Sequence, residues 1–272
     1  LADVVGSLPK YLKKIGVEAS VVIPAYEMPW FDGKLYKIVH QGSFHLGQEH
    51  LYFEVRYFIV DILGFLFYSI HIPSKTDRYG VYAGQNGHYF GDEIERNISF
   101  QRAFLTWLRD GNIETDIVHC HDHHTGLIPF MMQYAFEFQS LSRIPTLFTI
   151  HNERYQGAFS WSKQYLLPQF DSWKSGLLEW SNVINPLASA VRCAYKVTTV
   201  SQNYMNELMY DSAGLEQLFR SEAWKSVGIL NGIDNEVWDP ATDPMIEYKL
   251  EDDAVQFKAE NKKVICEIAG LD

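Results

Sequence analysis

Apolar residues open the chain at helical spacing. Leu1, Val5, Leu8, Leu12 and Ile15 recur every three or four positions, predicting an amphipathic helix that ends near Gly16. Pro9 falls inside this helix and, having no amide hydrogen, is expected to kink it. A short apolar run from Ala19 to Ile23 stops at Pro24, the pattern of a buried strand. Helix followed by strand reads as a βαβ unit lacking its first strand, so the pattern predicts a strand and a turn upstream of Leu1. The segments Leu35 to His40, Leu51 to Val60 and Leu63 to Ile72 mix aromatic and β-branched residues and predict strands, some of them antiparallel.

Thr76 to Glu93, rich in Gly and Tyr, reads as a loop. The pattern then turns regular, with a helix over 93–110, a strand Asp116 to Cys120, a helix over 124–139 and a strand Thr146 to Ile150. An irregular helical stretch over 160–194 leads to a strand Lys196 to Val200, helices over 202–210 and 214–223, and a strand Ser226 to Leu230. Strands alternating with helices imply a parallel sheet covered by helices. The last segment, Tyr248 to Leu271, reads as a charged helix ending at Gly270.

Composition narrows the class. The 272 residues are 47% apolar and 21% charged, which excludes disorder and fibrous repeats, and a formal charge of −11 argues against nucleic acid and membrane surfaces as general partners. The longest apolar stretch, Tyr57 to Ile70, is interrupted by Asp61 and Gly64 and falls short of the roughly 20 residues of a spanning helix. Three widely separated cysteines, Cys120, Cys193 and Cys266, suit unpaired thiols in a reducing compartment. With no signal-peptide pattern at the start, the cytoplasm is the default location.

Each predicted parallel strand is followed at once by polar residues with chemical capacity. His121-Asp122-His123-His124, His151-Asn152, Ser201-Gln202 and Asn231-Gly232-Ile233-Asp234 all sit at strand ends. Ligands of open parallel sheets bind outside the carboxyl ends of the strands, although turns there also favour Asn, Asp and Gly for backbone reasons. The run from His119 to His124 comes within one residue of the H-x-H-x-D-H pattern of metallo-β-lactamase-like hydrolases, but His123 stands where that pattern needs Asp. Buried histidines satisfied by the backbone are the plainer reading of His119 and His124. His151-Asn152, followed by Tyr155-Gln156-Gly157, is either a turn or a pocket of groups that donate to and accept from sugar hydroxyls. Neither a P-loop nor a dinucleotide fingerprint occurs.

Together these motifs resemble the bacterial glycogen synthases and plant starch synthases, glycosyltransferase family 5. Leu1-Ala2-Asp3-Val4-Val5-Gly6-Ser7-Leu8-Pro9 resembles the end of the family's K-x-G-G-L-A-D-V-x-G-x-L-P. Asp116 to Leu127 is similar to D-V-V-H-x-H-D-W-H-x-G-L, and Thr149 to Gly157 to T-I-H-N-x-x-Y-Q-G. Gly228-Ile229-Leu230-Asn231-Gly232-Ile233-Asp234, with Trp238 and Pro240, resembles G-I-L-N-G-I-D-x-x-x-W-x-P, and Lys258, Asn261-Lys262 and Gly270-Leu271 follow the family's tail. His123 stands in place of the pattern's Trp, and Gln202-Asn203 in place of Pro-Thr after Ser201.

The resemblance implies a Rossmann-like parallel sheet with helices on both faces and some added antiparallel strands, the N-terminal half of a GT-B fold. Residues 1–240 would be the N-terminal catalytic domain, and 241–272 the crossover into a C-terminal nucleotide-sugar-binding domain. The implied activity is retaining glucosyl transfer from ADP-glucose or UDP-glucose to an α-1,4-glucan such as glycogen, with no cofactor and no metal. Alternatives are a non-catalytic glucan-binding module and a metal-dependent hydrolase built on His119 to His124. His151 and Asp122 are implied to be catalytic, His151 by hydrogen-bonding the donor glucose. Asp3 would lie at the edge of a phosphate-facing loop, and Asn152 and Asn231 in the pocket and cleft. Asp77, Arg78 and Tyr82 would lie near the acceptor, with Tyr155, Gln156 and His123 completing the substrate contacts.

Overall fold

The computed structural model describes residues 1–60, 63–84 and 86–271; Asp61, the polar break in the longest apolar stretch, lies outside the described residues with Ile62, Gln85 and Asp272. The chain divides into two units, Leu1–Asn231 and Gly232–Asp272.

In the first unit, α1 (Ala2–Lys14) follows the predicted periodicity and is continuous through Pro9, whose ring is buried. Burial of that ring offsets the helical bond lost at the Val5 carbonyl. The helix ends where the Gly16 amide bonds the Lys13 carbonyl at 3.1 Å. Four strands follow: β1 (Ser20–Pro24), β2 (Tyr36–Leu46), β3 (Glu49–Phe58) and β4 (Leu66–His71). They form one sheet in the order β1-β4-β3-β2, in which β1 and β4 are parallel and the other pairs antiparallel. β2 runs beyond the predicted end at His40, because Gln41, Gly42 and Ser43 interrupt the apolar pattern while cross-strand pairing continues to Leu46 opposite Glu49.

The second sheet is wholly parallel. α2 (Glu93–Asp110) leads to β5 (Val118–His121), α3 (Ile128–Tyr134) and β6 (Thr146–Ile150). The helix predicted over 124–139 is shorter because Pro129 starts α3 at its first turn and Ala135 adopts extended backbone at its end. The stretch over 160–194 is less helical than predicted: two 3-10 turns, Trp161–Leu166 and Ser172–Leu177, precede a hairpin of β7 (Glu179–Trp180) and β8 (Val183–Ile184). Then come α4 (Pro186–Cys193), β9 (Lys196–Thr199), α5 (Gln202–Leu208), α6 (Glu216–Ser221) and β10 (Ser226–Gly228). Their order is β10-β9-β6-β5, so the carboxyl ends of β5 and β6 lie side by side.

Strand residues Cys120, Phe148, Ile150 and Val197 share one buried core with Leu127 and Met131 of the β5–α3 region and Leu187 and Val191 of α4. Each large apolar side chain so buried contributes roughly 1.5–3 kcal/mol. Within this sheet a polar row crosses three strands: His119 Nε2 lies 2.7 Å from Thr149 Oγ1, which lies 2.6 Å from Thr198 Oγ1. All three cysteines are free, and burial pushes the Cys120 and Cys193 thiols up to about 12. None of the described helices is long and apolar enough to cross a membrane.

In the second unit, α7 (Ala254–Ala269) begins later than predicted. Asp253 Oδ1 accepts the amides of Val255 and Gln256 at 2.8 and 3.1 Å and so fixes the start there. Tyr248, the predicted first helical residue, instead exchanges two hydrogen bonds with the Asn261 side chain.

Candidate functional site

The site grows from the turn after β5. Asp122 has φ 53 and ψ −179, a region that costs a non-glycine residue about 1–3 kcal/mol. Several bonds hold it there. Its amide donates to the Thr149 carbonyl of β6 at 3.1 Å, and its Oδ1 accepts the amides of His151 at 2.8 Å and Asn152 at 3.4 Å. The strained backbone thus turns the carboxylate toward the end of the neighbouring strand. Thr125 closes the turn, its hydroxyl accepting the His121 amide at 2.7 Å and lying 2.8 Å from the His121 carbonyl.

Two clusters of imidazoles flank Asp122. In the first, the His119 and His121 rings stand 4.1 Å apart and His121 Nδ1 lies 3.1 Å from His151 Nε2. Burial lowers the pKa of all three, His119 to about 4, with the neighbouring imidazoles adding to the effect for His119 and His121. For His151 the Asp122 carboxylate works against burial without reversing it. At neutral pH these rings are therefore uncharged, each able to donate through one nitrogen and accept through the other. In the second cluster the His123 and His124 rings are 3.8 Å apart, and burial takes His124 down to about 3. The H-x-H-x-D-H-like run therefore does not assemble as one ligand set: His119 and His121 face Thr149 and His151, while His123 faces Glu93 with Nε2 3.8 Å from Oε1.

Two glycines allow this packing. Gly157 has φ +69, and a Cβ there would stand 2.6 Å from His123 Cδ2; a Cβ on Gly126 would meet the Pro186 carbonyl oxygen at 2.5 Å.

Other predicted residues are placed more variously. Asn152 Oδ1 accepts the Arg154 amide at 3.1 Å, closing a local turn. Tyr155 is exposed, whereas the Gln156 carboxamide is engaged at both ends, by Asn185 Nδ2 at 2.7 Å and the Ala213 carbonyl at 3.1 Å. Tyr82 sits with its ring 5.7 Å from that of His124; burial first, then Asp122, Glu93 and Tyr155, raise its pKa, which places all four in one electrostatic neighbourhood. Arg78 grips Asp92 through both terminal nitrogens at 3.1 and 2.7 Å and holds that carboxyl below the usual range against the opposing effect of burial. Asp77 and Arg78 line a cavity of about 630 Å³ with Glu27, Asn86, His88 and Tyr89. Asp3 is exposed in the first turn of α1, where its carbonyl accepts the Ser7 hydroxyl at 2.6 Å. Asn231 is exposed at the end of the first unit, its amide bonded to the Val200 carbonyl at 3.3 Å. Ser201 caps α5 by accepting the Tyr204 amide at 3.0 Å.

Sequence reasoning missed Glu93, Glu153 and Tyr204. Glu153 is buried directly after Asn152, where it accepts the Tyr204 hydroxyl and pairs with Arg154 Nε at 3.0 Å. Burial and that bond raise the Tyr204 pKa. The adjacency of Glu153 to Asn152 was the available signal; nothing local in the sequence points to Tyr204 51 residues on.

Polar groups gathered at the carboxyl ends of parallel strands define a ligand-binding α/β unit. The chain belongs to the starch synthase catalytic domain family, which matches residues 1–221. It is 46% identical over 274 residues to a glycogen synthase of Flavobacterium johnsoniae and 34% identical over 281 residues to one of Streptococcus uberis. Both alignments cover 100% of this chain and 56% of the relative, so the chain spans little more than half the length of the curated proteins it matches. Among solved structures it is similar to the catalytic domain of starch synthase IV from Arabidopsis thaliana, with a TM-score of 0.81, 26% identity, and coverage of 99% of this chain and 56% of that one.

Proposed function

We propose that this chain is the acceptor-side half of a glycogen synthase that transfers glucose, with retention, from ADP-glucose or UDP-glucose to the 4-hydroxyl at a growing α-1,4-glucan end. The observation carrying this reading is the junction of Asp122 Oδ1 with the His151 and Asn152 amides, which sets an uncharged imidazole and a carboxamide side by side at the strand ends. Similarity to glycogen synthases along the whole chain supports it, as does the starch synthase IV neighbour, which was solved bound to ADP and acarbose.

Transfer through an oxocarbenium-like transition state with a departing diphosphate draws its rate from orienting donor and acceptor and from stabilising the leaving group. His151 hydrogen-bonds a donor-sugar hydroxyl. Asp122 fixes the orientation of His151 and Asn152 through their amides and needs no role as a nucleophile, and the mechanism uses no opposed pair of carboxylates. Tyr82, Tyr155 and His123 line the acceptor side, while Asp77 and Arg78 border the adjoining cavity. Asp3 and Asn231 face the cleft. The groups that receive the diphosphate belong to a further domain of the whole protein, whose closure expels water so that transfer outruns hydrolysis. Residues 1–272 alone are then inactive or nearly so.

The test is incorporation of labelled glucose into glycogen by the full-length protein, with each donor offered separately in the presence of EDTA. Incorporation from either donor supports the reading. No incorporation from both, with maltooligosaccharide still bound, would replace it with a non-catalytic glucan-binding module.

A further inference from the structure

Glu93, His123 and His124 each bring one ligating atom to within 4.8 Å of the others, the group of potential metal ligands found among the described residues. One of its ring nitrogens, His124 Nε2, is buried without a hydrogen-bond partner, and the His123 side chain, whose Nε2 faces Glu93, is only 7% exposed. An orphaned buried nitrogen is costly, and a bound cation is one way to satisfy it.

The three residues stand on two supports. Glu93 is the first residue of α2, and the histidines ride on the 3-10 turn His123–Thr125 that follows Asp122. This turn is tied to α2 by the Leu127 amide, which donates to Gln101 Oε1 at 2.8 Å. It is also braced by Gly157, which leaves no room beside the His123 ring. The imidazoles are thus placed in advance, while Glu93, 42% exposed, retains freedom to move. Asp122 lies outside this group, and its Oδ1 serves the His151 and Asn152 amides.

We propose that Glu93, His123 and His124 bind one divalent transition-metal ion of the zinc class, leaving a fourth position open. Two imidazoles and a carboxylate suit zinc, whereas magnesium and calcium favour oxygen ligands throughout. Zinc bonds of about 2.0–2.1 Å in a tetrahedron set ligand atoms about 3.4 Å apart. The 3.8 Å between His123 Nε2 and Glu93 Oε1 is close to that figure, and a small rotation of the exposed carboxylate closes the difference. The site uses the histidine that stands where the family pattern has Trp. It holds whether or not the neighbouring pocket transfers glucose.

Titration of the full-length protein with Zn²⁺, and separately with Co²⁺ followed by visible absorption, tests the proposal. The expected result is one saturable site, with Co²⁺ bands of four-coordinate intensity and affinity weakened roughly tenfold or more in Glu93→Gln and in His124→Gln. Circular dichroism of the exposed-site variant Glu93→Gln shows whether its fold is kept. Binding should persist in His45→Gln/His50→Gln, which removes the stacked surface pair on the β2–β3 hairpin. Absence of a saturable site overturns the proposal. So does affinity unchanged in both Glu93→Gln and His124→Gln, or lost only in the surface pair or in His151→Ala.

Discussion

Asp122 Oδ1 accepts the His151 amide at 2.8 Å, so a carboxylate at the end of β5 fixes the first residue beyond β6, with its own backbone held at φ 53. Strain at one strand end and order at the next are thereby linked. Replacing Asp122 with Ala leaves the part-buried amides of His151 and Asn152 without their acceptor and should destabilise the protein by about 1–3 kcal/mol. Asp122→Asn keeps an oxygen in place and should lose less than half as much. Urea unfolding of both variants checks this, and equal losses would show that the amide bonds do not hold the turn.

Glycine at position 157 serves the same construction. Ala there must adopt φ +69 and place its Cβ 2.6 Å from His123 Cδ2, so Gly157→Ala should cost about 1–3 kcal/mol, whereas Gly176→Ala, in open space, should be nearly neutral. Melting temperatures of the two variants decide between this and a turn that simply relaxes.

Burial keeps His119, His124 and His151 uncharged in the folded protein, with His119 at about 4 and His124 at about 3 against the ordinary imidazole value of about 6.5. Below pH 6.5 the unfolded chain takes up protons that the folded one refuses. Stability should therefore be nearly flat above pH 7 and fall on acidification toward pH 5, by up to about 1.4 kcal/mol per pH unit for each such histidine. His119→Gln should reduce the slope. A urea midpoint independent of pH between 7 and 5 would contradict the account.

Tyr204 reaches back from α5 to the buried Glu153, to which its hydroxyl donates while accepting the Glu153 amide at 3.3 Å. Tyr204→Phe removes both bonds and should destabilise by about 1–3 kcal/mol, while leaving Arg154 to pair with Glu153. Tyr204→Phe unfolding at the wild-type urea midpoint would show that Arg154 alone satisfies the carboxylate.

Much of this was legible in the sequence because parallel strands carry their polar residues at their ends. The runs before His121 and His151 are apolar and short, and the residues after them stand out; that located Asp122, His151 and Asn152. What the sequence concealed was which polar groups spend themselves on the scaffold. Gln156 reads like a substrate contact, yet Asn185 and the Ala213 carbonyl occupy its carboxamide. Arg78 likewise is bound to Asp92, a pairing across 14 residues of irregular loop that no periodicity reveals. β2 exceeded its prediction because strand pairing, which is non-local, carried it through polar residues.

On our proposal the β5 and β6 ends hold the donor sugar through His151, which is tested by the rate of glucose transfer to glycogen by full-length His151→Ala beside the wild type, in EDTA, with the two proteins matched for stability. The account predicts a fall of about 100-fold or more in kcat, in line with the loss of one transition-state hydrogen bond. Transfer at the wild-type rate from the variant would contradict it and remove His151 from the pocket.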